Sequence, residues 1–236
     1  MDSAYEDIKQ ASRIVVKVGT STLTYDTGKS NIKRIDTLAR TLSDLHNLGK
    51  EIILVSSGAI GIAVGKLGLS EKPDDINKRQ ALAAVGQCEL MFLYDKMFSE
   101  YSCTIAQILL TKDDLAIPRR KRNTQNTFNE LLAMGIIPIV NENDTVATDE
   151  VGIGDNDNLS ALVAEFVHAD LLILLSDIDG LYDGDPRNDP EAKVIPVVTD
   201  IPSVRKLANG AGSSRGTGGM ITKLDAAERA TSAGIN

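Results

Sequence analysis

A chain of 236 residues, 42% hydrophobic and 25% charged, suits one large α/β domain or two small ones. Its net charge of −8, with one short basic run, argues against a nucleic-acid partner, because phosphate backbones demand extensive clusters of Lys and Arg. No apolar run approaches membrane-spanning length, and the acidic start, Met1 to Asp7, lacks the apolar core of a signal peptide. A cytoplasmic protein with no membrane contact is expected. Cys88 and Cys103 lack metal-type spacing and sit in apolar runs, so both are expected to be buried, reduced thiols.

Arg13 to Val18 is a short run rich in β-branched residues and predicts a buried strand. Its interior charge, Lys17, is costly there unless it has a partner or a task. Gly19-Thr-Ser-Thr22 follows and can cradle an anion through backbone N–H groups, although a simple turn has the same composition. Asn31 to Leu48 has helical apolar spacing and ends at Gly49. Glu51 to Val55 predicts a second strand, and Ser56-Ser-Gly-Ala-Ile60 turns directly into another helix, a second anion-binding geometry. Ile76 to Tyr101 predicts a long helix, apolar enough around its circumference to be deeply buried or to form a subunit contact.

Thr104 to Leu110 predicts a third strand. Thr111 to Arg122, with its basic run Arg119 to Arg122, reads as a solvated loop first and a partner surface second. A helix over 123–134 and a fourth strand over 136–140 follow. Residues 141–160 then form a loop rich in carboxylates and amides, where Asp155 or Asn156 can cap the next helix, 159–167. Such loops at strand C-termini bind ligands in open α/β sheets. Asp170 to Ser176 predicts a fifth strand. A short strand near 194–198, a short helix near 201–208 and a last helix over 220–233 complete the chain. Gly216-Thr-Gly-Gly219 makes a third glycine-rich helix entry, with Lys223 in the first turn. Strands and helices alternate on short connections, which argues for a parallel sheet covered on both faces.

Several patterns fail on inspection. Asp26 to Ser30 resembles the end of a P-loop but has Leu23 where glycine is needed, and Gly152-Ile-Gly154 has Asp157 at the third glycine position. The loops from Asp155 and Asp177 lack the glycine and glutamate of a calcium loop. His46 and His168 sit alone on helices and are poor candidates for ligands or bases. Three anion turns, two lysines and an amide-rich loop suggest phosphoryl transfer. A hydroxyl acceptor needs a base. A carboxylate acceptor is already ionised at neutral pH, because its pKa is about 4, and this chain suits it better.

Taken together, Lys17-Val-Gly-Thr-Ser21, Ser56-Ser-Gly-Ala-Ile60, Asn141-Glu-Asn-Asp144, Gly154 to Ser160, Ser176-Asp177 and Gly216 to Met220 with Lys223 resemble the glutamate 5-kinases of the amino acid kinase family. The likeness runs in order over nearly the whole chain. It implies an α/β fold, a three-layer αβα sandwich with an eight-stranded, mainly parallel sheet. It implies one kinase domain over 1–236, with an acceptor lobe to about 168 and an incomplete nucleotide lobe from about 169. No RNA-modification-like C-terminal domain, which many relatives carry, is expected. The abrupt end at Asn236 leaves a truncated, non-catalytic glutamate- or proline-binding or assembly module as the alternative to an enzyme, with a related carboxylate kinase behind it.

The resemblance also implies ATP with Mg²⁺, L-glutamate as acceptor, proline as feedback inhibitor, a homo-oligomer and functional coupling to glutamyl-phosphate reductase. By position, Lys17 and Lys223 neutralise the transferring phosphoryl group and Asp157 holds both lysines. Ser57, Asp144 and Asn156 bind glutamate, with Asp144 on its α-ammonium. Gly19 and Gly58 donate to phosphate oxygens, Ser176 and Asp177 line the nucleotide pocket, and Thr217, Gly218, Gly219, Met220, Ile221, Thr222 and Lys223 wrap the ATP phosphates.

Overall fold

The computed structural model describes residues 2–25, 27–146, 156–186, 188–210 and 219–236. In chain order the elements are α1 (Asp2–Gln10), β1 (Arg13–Val18), α2 (Thr20–Leu23), α3 (Ile32–Asn47), β2 (Glu51–Ser56), α4 (Ala59–Lys66) and α5 (Ile76–Ser99). They continue with β3 (Ile105–Leu110), α6 (Lys112–Ala116), α7 (Pro118–Ala133), β4 (Ile137–Glu142), α8 (Asn156–Phe166) and β5 (Leu171–Leu174). Last come α9 (Ile201–Val204), a 3-10 turn over Arg205–Gly210, and α10 (Met220–Ser232). Among the described residues the sheet has five strands in the order β3-β4-β2-β1-β5, every pair parallel.

Alternation along the strands divides the core into two layers. Ile14, Val16 and Val18 of β1 join Ile52 and Leu54 of β2 against Ile35, Leu42, Leu90, Tyr94 and Phe98 of α3 and α5. Val15, Ile53, Val55 and Val140 point the other way, onto Phe128, Leu159, Val163 and Ala230 of α7, α8 and α10. Lys17 is two residues from Val15 and so belongs to this second face, against α8. The β-branched runs therefore produce the αβα sandwich and aim the one interior lysine.

Several expectations need correction. The eight strands implied by resemblance are five among the described residues. Residues 194–198 contribute only a bridge between Tyr182 and Val194, since Pro196 has no N–H to donate to a ladder. The stretch 111–122 is not a loop. The Asp114 carboxylate accepts from the backbone N–H and hydroxyl of Thr111, at 2.8 and 2.6 Å, and starts α6. Pro118 then opens α7, so the basic run lies on a helix rather than before one. The helix predicted over 201–208 is one α-turn followed by a 3-10 turn. Cys103 is buried, but Cys88 is exposed, because helical periodicity places it on the outer face of α5 with Val85 and Phe92.

Beyond β5, the backbone of Asn236 accepts from Leu172 N at 2.8 Å and donates to Asp170 O at 3.1 Å, so this residue pairs with the outer edge of the strand. No helix among the described residues is long and apolar enough to cross a membrane.

Candidate active site

Parallel strands send all their C-terminal ends to one edge of the sheet, and the candidate residues gather there. Lys17 is the penultimate residue of β1 and only 6% exposed. Asp157 lies in the first turn of α8 and is 0% exposed. Lys223 lies in the first turn of α10. Lys17 Nζ stands 2.6 Å from Asp157 Oδ1, and Lys223 Nζ donates to Oδ2 at 3.0 Å. Each lysine thus takes its own carboxylate oxygen. Burial pushes the Asp157 carboxyl up, but the two ammonium groups outweigh it and hold the group below its usual range. Two positive charges on one anion leave a surplus positive charge at this edge.

Thr222 adds a third contact. Its hydroxyl lies 2.9 Å from Asp157 Oδ2 and 2.8 Å from Gly219 O, and its single hydrogen serves one acceptor at a time. This residue is tied to the carboxylate, a link that its place in the glycine-rich stretch did not reveal. Gly219 is the residue before α10, Met220 and Ile221 open the helix, and Ile221 is exposed. Thr217 and Gly218 lie outside the described residues, as do residues 147–155 of the amide-rich loop.

The two early turns lie side by side. Gly58 has φ +102, a conformation that glycine adopts freely. A Cβ there would come within 3.3 Å of Leu23 and 3.8 Å of Thr20, so the turn presses onto α2. A Cβ on Gly19 would lie 3.7 Å from Lys17 Nζ, which places the first turn beside the lysine amine. Ser57 N donates to Val18 O at 3.0 Å, pinning the second turn to the end of β1. Below it, the buried Tyr94 hydroxyl meets Ser56 Oγ at 2.7 Å, and Ser56 Oγ donates to Ser57 O at 3.0 Å. Burial pushes the Tyr94 phenol up, so it stays protonated and able to donate.

Of the residues expected to bind the acceptor, Asn156 is the first residue of α8. Its amide crosses to β2 and β4, donating to Ser56 O at 2.9 Å and Asn141 Oδ1 at 3.0 Å. Asp144 follows the end of β4 and is half-buried. Burial raises its carboxyl to about 6, aided by Glu142 and opposed by Lys72 and Arg79. Ser176 and Asp177 follow β5, where Leu175 N donates to Lys17 O at 2.9 Å. Ser176 Oγ donates to Asp177 Oδ1 at 3.3 Å. His46 and His168 close α3 and follow α8, at the opposite edge of the sheet.

Two lysine amines beside glycine turns fit a triphosphate. Magnesium has a different place. Among the described residues no cluster of three carboxylate, His or Cys side chains could hold it, and both oxygens of Asp157 are taken by lysines. Mg²⁺ fits as the counter-ion of the nucleotide's phosphates.

A parallel αβα sheet whose strand ends collect two lysines, one buried aspartate and glycine-entered helices defines an anion-binding, group-transfer protein. The chain belongs to the amino acid kinase family, whose profile matches residues 12–236. It is 58% identical to the glutamate 5-kinase of Clostridium perfringens, over 97% of this chain and 87% of that protein. It is 57% identical to the glutamate 5-kinase of Clostridium tetani, over 98% and 86%. The fold is similar to that of the UMP kinase of Ureaplasma parvum, with TM-score 0.63 and 15% identity over 93% of this chain and 86% of that one.

Proposed function

We propose that this chain phosphorylates the side-chain carboxylate of L-glutamate with ATP, giving L-glutamyl 5-phosphate and ADP, as the opening step of proline biosynthesis. The observation that carries this reading is the pair of lysines on Asp157 at the sheet edge where Ser57, Asp144 and Asn156 also lie. The likeness to two clostridial glutamate 5-kinases supports the choice of acceptor. A carboxylate oxygen of glutamate attacks the γ-phosphorus and the bond to the ADP oxygen breaks, its electron pair leaving with ADP. No proton moves, so the lack of a histidine at this edge is no obstacle. Lys17 and Lys223 meet the negative charge that spreads over the phosphoryl oxygens, held in place beforehand by Asp157.

In this reading Gly19, Gly58, Ser176, Asp177 and residues 217–223 hold the nucleotide, and Ser57, Asp144 and Asn156 hold glutamate. Residues to about 168 form the acceptor lobe and those from about 169 the nucleotide lobe. The test is glutamate-dependent release of ADP, with hydroxylamine trapping the acyl phosphate. Absence of γ-glutamyl hydroxamate from active-site-titrated protein rejects the proposal. Proline as a competing ligand and transfer of the labile acyl phosphate to a reductase belong to the same reading.

Asp144 gives the reaction a pH signature. It binds an ammonium only as a carboxylate, and its folded pKa is raised to about 6. The anion is therefore lost as pH falls through 6 rather than through the ordinary carboxylate range near 4. The KM for glutamate is expected to rise about tenfold between pH 7 and pH 5, with the KM for ATP nearly flat. Asp144→Asn should raise KM at pH 7 and remove the dependence. A wild-type KM that stays flat down to pH 5 contradicts the assignment.

Self-association through α5 is part of the proposal. Val85, Cys88 and Phe92 form an outward apolar stripe, with Phe92 61% exposed. Light scattering should find an oligomer that Phe92→Asp dissociates; an unchanged mass in that variant removes this face from consideration.

A further inference from the structure

Four side-chain amides stand in file from the open edge of the sheet to the acceptor site. Gln87 Nε2 on α5 donates to Gln107 Oε1 on β3 at 3.0 Å. Asn141 Nδ2 at the end of β4 donates to Gln87 Oε1 at 2.9 Å. Asn156 Nδ2 donates to Asn141 Oδ1 at 3.0 Å and to Ser56 O at 2.9 Å. Gln87 and Asn141 are buried, while Gln107 is exposed. Gln87 reaches this depth because its neighbour is glycine. A Cβ on Gly86 would fall 1.7 Å from the Ala59 carbonyl oxygen, so a larger residue would hold α5 away from α4.

An amide's oxygen and nitrogen have nearly the same shape, so its orientation must be set by partners that cannot reverse. Two such partners are present. The Ser56 carbonyl only accepts, so it requires the NH₂ group of Asn156. The Glu142 backbone N–H only donates, at 2.9 Å, so it requires the oxygen of Asn141. Both constraints orient the file the same way. Both hydrogens of Asn156 are then spent within the protein, and among the described residues the group left for a ligand is its Oδ1. A lone acceptor suits an ammonium and repels a carboxylate.

We infer that Gln87 and Asn141 are positioning residues that lock the Asn156 amide with its oxygen free for the α-ammonium of the acceptor amino acid. This rests on the glutamate reading above and extends it to side chains that touch no substrate. Gln87 matters because Asn141 is buried. Without an acceptor at position 87, the Asn141 NH₂ group is stranded. Rotating the amide to relieve it would set that NH₂ against two donors, Glu142 N and Asn156 Nδ2.

The test pairs two variants with two ligands, L-glutamate and glutarate, which is the same dicarboxylate without the ammonium. Binding is measured by calorimetry, with kcat and KM for glutamate alongside. Wild type should bind glutamate at least about tenfold more tightly than glutarate. Gln87→Leu should weaken glutamate about tenfold, leave glutarate within about twofold and keep kcat within about threefold. Gln87→Glu keeps an acceptor toward Asn141, and exposed Gln107 can turn its NH₂ to meet the second oxygen, so glutamate affinity should return to within about threefold of wild type. Equal weakening of both ligands in the Leu variant marks a merely structural role and overturns the inference while the kinase reading stands. Unchanged glutamate binding in that variant also overturns it. If Leu at 87 prevents folding, loss of discrimination in the Glu variant does the same. A wild type that fails to prefer glutamate to glutarate removes both the inference and the acceptor site beneath it.

Discussion

Lys223→Ala is expected to lower glutamate-dependent turnover by about a thousandfold while the protein stays folded. Removing one preorganised donor from a developing anion typically costs about a hundred- to a thousandfold in kcat. A full ammonium facing a phosphoryl group belongs at the upper end of that range. The fold should survive because Asp157 keeps Lys17 at 2.6 Å and the Thr222 hydroxyl at 2.9 Å. Lys223 is also the more exposed of the two lysines, with 18% of its side chain accessible against 8% for Lys17. Rapid-quench measurement of acyl phosphate, with circular dichroism as the control for folding, reads both. Turnover within tenfold of wild type would show that this amine does not act on the phosphoryl group.

Asp157→Asn should be costly in a different way. The substitution keeps the shape and removes the one charge that, among the described residues, separates two buried or half-buried amines. Breaking a buried pair by deleting one partner costs about 3–5 kcal/mol, and some relief through solvent at Lys223 puts the expected loss near the lower figure. The carboxyl's folded pKa is depressed below its ordinary 3.8, so its stabilisation is complete above that value and lost as pH falls through the folded value. The gap between wild type and variant in urea unfolding should therefore be full at neutral pH and close only below about pH 4. Turnover should fall at least a hundredfold because the amines are no longer aimed. The KM for ATP should not rise, since two unneutralised lysines attract a triphosphate more strongly. A raised KM for ATP with unchanged stability would mean that Asp157 serves the nucleotide directly.

The sandwich was legible because its strands are short β-branched runs between glycine-ended helices, and Arg13–Val18 and Glu51–Ser56 fall within a residue of expectation. What misled was local chemistry that outweighs composition. Arg119 to Arg122 look like solvated loop until Pro118 is seen as a first helical residue and Thr111 with Asp114 as a helix start. Cys88 has apolar neighbours along the chain, but burial in a helix follows periodicity, and its face is that of Val85 and Phe92. Asn156 looked like a cap and instead reaches across to β2 and β4.

Lys17 was conspicuous as a charge inside an apolar strand, and strand alternation alone placed it on one face. Its meeting with Lys223 over Asp157 depends on where α8 and α10 begin in space, which no local pattern encodes; the resemblance suggested it. Gln87 left a fainter trace. It is a polar residue at the helical spacing of buried Ala83 and Leu90, and such a residue needs a partner. The identity of that partner, Asn141, becomes visible only once α5 and β4 are packed together.

A double-mutant cycle on Lys17 and Lys223, read as single-turnover formation of glutamyl phosphate, addresses the twin-lysine arrangement most directly. Residues that act as one unit lose most of their effect together. Lys17→Ala and Lys223→Ala should each cost about a thousandfold, and the double variant should be less than tenfold slower than either. Losses that multiply, to about a millionfold in the double variant, would mean that the two amines work independently and that the shared carboxylate of Asp157 does not couple them.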